Sequence, residues 1–364
     1  MFETVLKQEE KVALALQALY RNYGYLPYQM SKFEPYDLYV ANKDFLVSDG
    51  VITFTDTDGK LLALKPDVTL SIIKNTVGEN ERKVYYHENV YRISGETKQF
   101  KEIPQIGLER IGEVDAYVVY ETVVLALKSL AEISNEFALD ISHIGVLAAV
   151  LEDVGAGESF NKKAMHLLAE KNVHELIRLC QENGVADDKM DALVTLARAY
   201  GKPNKVLSAL QPVCCSQKGK AAFEELQTLC VLLQSSEYAD KINLDFSVVN
   251  DMKYYNGFVF KGFVAGVCEG VLSGGQYDKL MSRMGRNTGA IGFAVYLDLL
   301  EHLTAFESEY DLDELVLYDE TTDVQTLVDV MDAAVKQGKK VSAQKMRGSV
   351  RAKRVTDLTG GKTE

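Results

Sequence analysis

Amides, carboxylates and tyrosines occur in short segments that could line a ligand pocket. Gln105, Gly107 and Glu109 alternate along the chain, which puts the three residues on one face of a strand. Tyr254 and Tyr255 are adjacent, and tyrosine rings offer both stacking surfaces and hydroxyl hydrogen bonds. Read alone, the alternating set is also an ordinary polar strand face.

Two further segments carry charged or flexible positions. Residues 65–69 read Lys-Pro-Asp-Val-Thr, in which Pro66 and Asp67 are also typical of the first turn of a helix. Residues 273–278 read Ser-Gly-Gly-Gln-Tyr-Asp, and paired glycines in a strand let a backbone approach a ligand closely.

The elements that must position these residues are predicted from hydrophobic periodicity and turn residues. Hairpins mixed with separate helices predict an α+β fold with an antiparallel sheet rather than alternating βαβ units. In the first part of the chain we expect helices over 9–24, 67–75 and 116–137, and strands over 51–55, 61–64, 83–86 and 105–111. In the later part we expect helices throughout 159–239, strands over 242–249, 257–264 and 266–272, a helix over 289–304, and a strand–helix–strand tail over 315–318, 324–338 and 341–344.

These elements predict four regions. The first part of the core covers 1–155, a helical insertion 156–240, the second part of the core 241–305, and a short α/β tail 306–364. The tail includes the basic segment 336–354, which has eight Lys and Arg residues and no acidic residue. We interpret this segment as a solvated surface, with a partner contact or a vestige of RNA binding as the alternative.

Composition excludes several classes of protein. A hydrophobic share of 47% and a charged share of 26% over 364 residues are ordinary for a globular protein, and neither a membrane span nor an export signal is expected. Five irregularly spaced cysteines favour reduced thiols in a cytoplasmic protein and no metal site, and no cofactor is expected. The net charge is −13, and without the basic segment it would be about −21, which makes tRNA binding unfavourable.

The polar segments resemble motifs of histidyl-tRNA synthetases of class II. Residues 65–69 resemble Arg-Pro-Glu-Gly-Thr, Tyr91-Arg92-Ile93-Ser94 resembles Phe-Arg-x-Glu, residues 105–109 resemble Gln-x-Gly-x-Glu, and residues 273–278 resemble Gly-Gly-Arg-Tyr-Asp. The resemblance implies a class II synthetase-like antiparallel sheet flanked by helices, with a helical insertion and a truncated anticodon-binding domain at the C-terminus. It also implies a histidine site formed by seven residues: Asp67, Thr69, Arg92, Gln105, Glu109, Tyr254 and Tyr255.

Within that implied site the ligand groups divide by chemistry. Asp67 and Thr69 would hold the α-amino group, because an ammonium with three N–H donors needs a carboxylate and neutral oxygens. Arg92 would contact the carboxylate, and the tyrosine pair would select the imidazole ring.

The chain departs from the synthetase motifs where catalysis depends on them. Asn250 and Leu299 stand where the family has catalytic arginines, and Ser94 replaces the glutamate that assists adenine binding. Losing one electrostatic stabiliser typically costs about 10²–10³ in rate, so adenylation is not expected and no catalytic residue is assigned.

A histidine pocket without catalytic arginines resembles the synthetase-like regulatory subunits of ATP phosphoribosyltransferase. The resemblance implies a chain that is not an enzyme by itself, dimerises through its core, and assembles with a short catalytic subunit into a hetero-octamer. It also implies activation of that subunit and feedback inhibition by histidine. A divergent histidyl-tRNA synthetase and another histidine-sensing or RNA-binding paralogue are the alternatives.

Overall fold

A computed structural model describes residues 6–42, 50–76, 81–94, 97–248, 255–304 and 310–360. The chain separates into a large compact unit, Glu9–Glu301, and a small unit that contains His302–Glu364 together with Met1–Gln8. No helix among the described residues has the length and apolar character needed to cross a bilayer.

The large unit begins with a helix, a small sheet and a long hairpin. Its elements up to the first long central helix are α1 (Gln8–Asn22), β1 (Leu26–Pro27), β2 (Phe33–Pro35), α2 (Tyr36–Ala41), β3 (Thr53–Thr55), β4 (Leu61–Leu64), α3 (Thr69–Asn75), β5 (Arg82–Ile93), β6 (Phe100–Gly112) and α4 (Ala116–Ile133).

The rest of the large unit contains a helical excursion, α5 to α10, between strands β7 and β9, followed by three more strands of the sheet. Its elements are β7 (Phe137–His143), α5 (Ile144–Val154), α6 (Glu158–Ala169), α7 (Val173–Glu182), α8 (Asp187–Ala197), β8 (Tyr200–Gly201), α9 (Pro203–Leu210), α10 (Gln217–Leu233), β9 (Ile242–Asp245), β10 (Phe258–Val264), β11 (Leu272–Gln276), α11 (Asp278–Arg283) and β12 (Gly289–Tyr296), with 3₁₀ turns at Ala239–Lys241 and Asp298–Thr304.

A nine-stranded sheet organises the large unit, in the order β1-β5-β6-β12-β11-β10-β7-β9-β8. Only the pairs β1–β5 and β7–β9 are parallel within this sheet of the described residues, and the other neighbours are antiparallel. The predicted α+β class with an antiparallel sheet is therefore confirmed. Helix α4 packs on the sheet through fully buried Leu125, Leu127 and Leu130, and its N-terminus is capped by the Asp115 carboxylate, which accepts the Val118 N–H at 2.8 Å.

The small sheet β2–β4–β3 has two unlike faces. Glu34 and Ala63 are buried on one face, where Glu34 accepts hydrogen bonds from Ser71 of α3 at 2.7 Å and from Lys74 at 3.0 Å. The other face, called the apolar face below, presents five side chains that are exposed or half-buried: Phe33, Pro35, Phe54, Leu62 and Leu64. Phe33 and Phe54 stack edge to face, with ring centroids 5.4 Å apart.

Two predicted elements are wrong, and one predicted helix ends earlier than expected. Residues 289–304 were expected to be a helix, but 289–296 form strand β12 in the interior of the sheet and a 3₁₀ turn follows. The predicted strand 266–272 lies instead at 272–276, and helix α4 ends at Ile133, so that Phe137 opens strand β7. A strand buried on both faces shows a continuous apolar run, and such a run has no period that separates it from a helix.

The helical region predicted over 159–239 is confirmed by α6 to α10. It also contains a strand that the sequence did not indicate. Tyr200 and Gly201 form β8 and pair with Asp245 and Leu244 of β9, so the excursion contributes the edge strand of the main sheet.

The small unit is a parallel sheet in the order β14-β13-β15, formed by β13 (Leu312–Leu317), α12 (Val324–Lys336), β14 (Val341–Gln344) and β15 (Ala352–Asp357). The predicted strand–helix–strand is confirmed, but β15, whose first three residues lie in the basic segment, was missed. Four of the basic side chains, Lys339, Arg351, Lys353 and Arg354, form ion pairs with the acids of residues 311–314. Much of the positive charge of this segment is therefore neutralised within the unit.

Candidate functional site

The candidate site lies above three adjacent strands of the main sheet. Glu109 of β6 is in register with Gly292 of β12, which in turn is in register with Gly275 of β11. A Cβ atom on Gly292 would collide with the Glu109 carboxylate, and one on Gly275 would lie 2.6 Å from the Tyr255 ring. The two glycines therefore let the Glu109 carboxylate and the Tyr255 ring lie directly against the strands, where any other residue would collide with them.

Glu109 is a buried carboxylate held by neutral donors. Only 2% of the residue is exposed, the Thr69 hydroxyl donates to Oε1 at 2.7 Å, and the Tyr277 hydroxyl donates to Oε2. No lysine, arginine or histidine of the described residues forms an ion pair with it. Burial raises the pKa of Glu109 to about 8 despite the two hydrogen bonds, and the nearby Asp67 carboxylate raises it further.

Asp67 provides a second buried carboxylate. Its Oδ1 accepts the Leu70 N–H at 2.9 Å, and burial raises its pKa, which Arg92 partly counteracts. Helix α3 begins at Thr69, so Pro66 and Asp67 precede it and do not form its first turn. The Pro66 carbonyl instead accepts the Arg92 Nε–H at 3.0 Å, and this bond holds the guanidinium close enough to Asp67 to influence its titration.

Tyrosines close the site. Burial raises the pKa values of Tyr86, Tyr255 and Tyr296, and the carboxylates of Glu109 and Asp67 raise those of Tyr86 and Tyr255 further. Both carboxylates act on both of these rings, so Tyr86, Tyr255, Glu109 and Asp67 belong to one cluster. Phenol rings beside buried carboxylates give the site an aromatic wall and an acidic end.

The structure brings together five of the seven residues predicted for the site: Asp67, Thr69, Arg92, Glu109 and Tyr255. Gln105 is buried, at 4% exposure, on the same strand as Glu109 and in register with Tyr296. Tyr254 lies outside the described residues, as does Asn250.

Sequence reasoning missed Tyr277, Tyr86 and Tyr296. Tyr277 stands in the Ser-Gly-Gly-Gln-Tyr-Asp segment, so its presence was visible, but its hydrogen bond to Glu109 was not. Tyr296 follows Gly292 and Ala294 at alternating positions, a spacing that indicates one face of a strand. The mistaken helix over 289–304 concealed that signal.

Two of the positions where catalytic groups were predicted to be lost, Ser94 and Leu299, lie among the described residues. The Ser94 backbone N–H donates to the Gln99 carbonyl at 2.8 Å, and its hydroxyl accepts the Thr97 N–H at 3.3 Å, so Ser94 shapes the turn between β5 and β6. Leu299 lies in the 3₁₀ turn after β12. Among the described residues, no group of three His, Cys, Asp or Glu side chains has the arrangement of a metal site.

The arrangement is suited to binding a small cationic ligand with an aromatic part. Among the described residues, two buried carboxylates lie near a single guanidinium, so the ionised form of Glu109 has no fixed cation beside it. A ligand ammonium would supply a positive charge there and could donate hydrogen bonds to oxygens of Glu109, Asp67 and Thr69. A carboxylate on the same ligand would find Arg92.

Comparison with known proteins places the chain among synthetase-like sequences. The family model described as histidyl-tRNA synthetase matches residues 2–300. An ATP phosphoribosyltransferase regulatory subunit from Clostridium kluyveri is 27% identical over 325 residues, which cover 86% of this chain and 83% of that protein.

Two solved structures share the fold. The structure of an ATP phosphoribosyltransferase regulatory subunit/histidyl-tRNA synthetase from Bacillus halodurans C has a TM-score of 0.80 at 23% identity, covering 97% of this chain and 94% of that chain. A chain of the ATP phosphoribosyl transferase (HisG:HisZ) complex from Thermotoga maritima has a TM-score of 0.63 at 18% identity, covering 79% of this chain and 97% of that chain. These likenesses confirm the predicted class II synthetase-like fold.

Proposed function

Because the chain belongs to the histidyl-tRNA synthetase family, we propose that it is a non-catalytic relative that acts as the regulatory subunit of ATP phosphoribosyltransferase in histidine biosynthesis. The observation that carries the proposal is the Glu109 carboxylate, which is buried among neutral donors and has no cationic partner among the described residues. Burial raises the pKa of Glu109 to about 8, and a ligand ammonium beside it would favour the ionised carboxylate.

Free histidine is the ligand that fits the proposal. Its ammonium would lie at Glu109, Asp67 and Thr69, and its carboxylate at Arg92. Its imidazole would lie against Tyr255 and Tyr254, with Gln105 on the same strand face as Glu109. The support is the convergence of the described members of this set on one cluster with an acidic end and an aromatic wall.

A synthetase reaction is the second candidate, and the residues disfavour it. Adenylation concentrates negative charge on phosphates and needs fixed cations to stabilise it. Asn250 and Leu299 offer none, and the Ser94 hydroxyl is already engaged in its own turn. Another histidine-sensing paralogue would use the same pocket, so only the identity of its partner would separate it from the regulatory subunit.

The partner we propose is the short catalytic subunit of ATP phosphoribosyltransferase, in a hetero-octamer that this chain activates and makes sensitive to histidine. The names of the Clostridium kluyveri relative and of the Thermotoga maritima complex support this partner. We also propose a homodimer through the synthetase-like core, and the apolar face of the small sheet supplies hydrophobic surface that no other described residue buries fully. The described cysteines are all unpaired thiols, which suits a cytoplasmic complex.

Reconstitution tests the proposal. The purified chain is mixed with a short catalytic subunit, and turnover is measured with and without histidine, while calorimetry measures histidine binding to the chain alone. We expect turnover to depend on the chain and to fall as histidine rises. A complex that forms but ignores histidine, together with no binding to the isolated chain, would refute the proposed effector site.

A further inference from the structure

A hydrogen-bonded cluster lies directly behind the two tyrosines that line the pocket. The Asp278 carboxylate accepts the Gln276 side-chain amide at 2.7 Å and the Asn256 side-chain amide at 3.0 Å through Oδ2. Its Oδ1 accepts the Ala290 backbone N–H at 3.0 Å. One carboxylate therefore joins the segment before β10, the end of β11 and the start of β12.

Asn256 is fixed on three sides within this cluster. Besides its bond to Asp278, its backbone N–H donates to the Gln276 carbonyl at 3.1 Å, and its Oδ1 accepts the Lys279 N–H at 3.3 Å. The next residue is also anchored, because the Gly257 carbonyl accepts the Ile144 N–H at 2.8 Å. The backbone that leads out of Tyr255 therefore has little freedom.

Two tyrosines adjacent to the cluster in sequence, Tyr255 and Tyr277, belong to the candidate site. Tyr255 precedes Asn256, and its ring lies so close to β11 that a Cβ atom on Gly275 would be 2.6 Å from it. Tyr277 lies between Gln276 and Asp278, and its hydroxyl donates to Glu109. A displacement of Asn256 or Asp278 would move the aromatic wall and a donor to the buried carboxylate together.

We propose that Asn256 and Asp278 are positioning residues that fix the Tyr255 ring, and so set the affinity of the pocket for the aromatic part of its ligand. The inference rests on the proposed histidine site. Gln276 belongs to the same cluster, because its neutral amide donates to Asp278 at the position where the synthetase motif has arginine.

Asn256→Ala is the first test, and Asn243→Ala is its matched control. Asn243 also donates its side-chain amide to an aspartate, Asp140, at 3.0 Å, but this bond joins β7 and β9 at the far side of the sheet. Loss of one hydrogen bond to a charged group is expected to weaken histidine binding about tenfold in Asn256→Ala, with no change in the control. Asp278→Asn is expected to show a similar loss, and thermal unfolding verifies that each variant is folded.

A double-variant cycle separates positioning from general weakening. If Asn256 acts through Tyr255, then Tyr255→Ala alone and Tyr255→Ala with Asn256→Ala will bind histidine equally weakly, because the ring to be positioned is already gone. Losses that multiply in the double variant would overturn the proposal.

A second measurement needs no ligand. With 3-fluorotyrosine incorporated and the Tyr255 resonance assigned from Tyr255→Phe, its ¹⁹F signal should move toward the solvent-exposed position in Asn256→Ala and stay in place in Asn243→Ala. An unmoved signal would overturn the positioning role even if histidine binds. Failure of the wild-type chain to bind histidine, with the signal shift present, would instead count against the proposed function alone.

Discussion

Replacing Glu109 by glutamine removes the charge of the pocket while keeping its shape and an acceptor oxygen for one of the two hydroxyls, those of Thr69 and Tyr277, that bond to the carboxylate. A hydrogen bond between charged partners contributes about 1.5–3 kcal/mol, and the buried position of Glu109 places its bond to an ammonium in the upper part of that range. At 2–3 kcal/mol, histidine binding should weaken about 30- to 150-fold in the variant.

The size of that loss should depend on pH. In the ligand-free protein the pKa of Glu109 is about 8, so at pH 8.5 the carboxylate is mostly ionised before histidine binds. The full 30- to 150-fold difference in affinity between wild type and variant should therefore be measured at this pH. At pH 7 the wild-type protein must first release a proton, which costs about 1.4 kcal/mol for one pH unit. At pH 7 the difference in histidine affinity between wild type and variant should therefore be about tenfold smaller, roughly 3- to 15-fold.

Calorimetry at both pH values gives the two dissociation constants, and Glu102→Gln on the same strand serves as an exposed control. Calorimetry in buffers of different ionisation enthalpy should also detect about one proton released on binding at pH 7. Equal affinities of wild type and Glu109→Gln at pH 8.5 would show that no cation lies at Glu109.

Three other predictions concern stability, catalysis and regulation. In the folded protein the pKa of Glu109 is raised from 4.5 to about 8, so between these pH values the native state holds a proton that the unfolded state has released. The free energy of unfolding of the wild type, measured by urea titration, should therefore fall relative to that of Glu109→Gln as the pH rises from 4.5 to 8. Parallel stability curves would contradict the buried environment of Glu109. The pure chain should give no histidine-dependent ATP–pyrophosphate exchange, since Asn250, Leu299 and Ser94 stand at the catalytic positions, and exchange above background would restore the synthetase alternative. Tyr254→Ala or Glu109→Ala should give a reconstituted complex that sediments and turns over normally but does not respond to histidine, because an effector acts only through differential affinity for two states; full inhibition of both variants would locate the effector site on the catalytic subunit.

The sequence predicted the strand that carries Glu109 better than the strand that lies beside it. Glu109 and Gln105 were placed on one strand face because alternation with Gly107 has a period of two, and the structure confirms that strand. Strand β12 was mistaken for a helix because its residues are buried on both sides and leave no period. Tyr277 and Asp278 could not be assigned partners, since their hydrogen bonds join residues that are distant in sequence and only the sheet register brings them together.

The register between Glu109 and Gly292 has a consequence for how the protein is made. Strand β12 inserts between β6 and β11, although 176 residues separate the end of β6 at Gly112 from the start of β12 at Gly289. A growing chain that has already formed the β5–β6 hairpin must leave the inner edge of that hairpin unpaired until the whole helical excursion has been synthesised. Contacts between residues so far apart in sequence form slowly, and exposed strand edges promote aggregation. This protein should therefore depend on chaperones during synthesis more than a protein whose strands pair only with their neighbours in sequence.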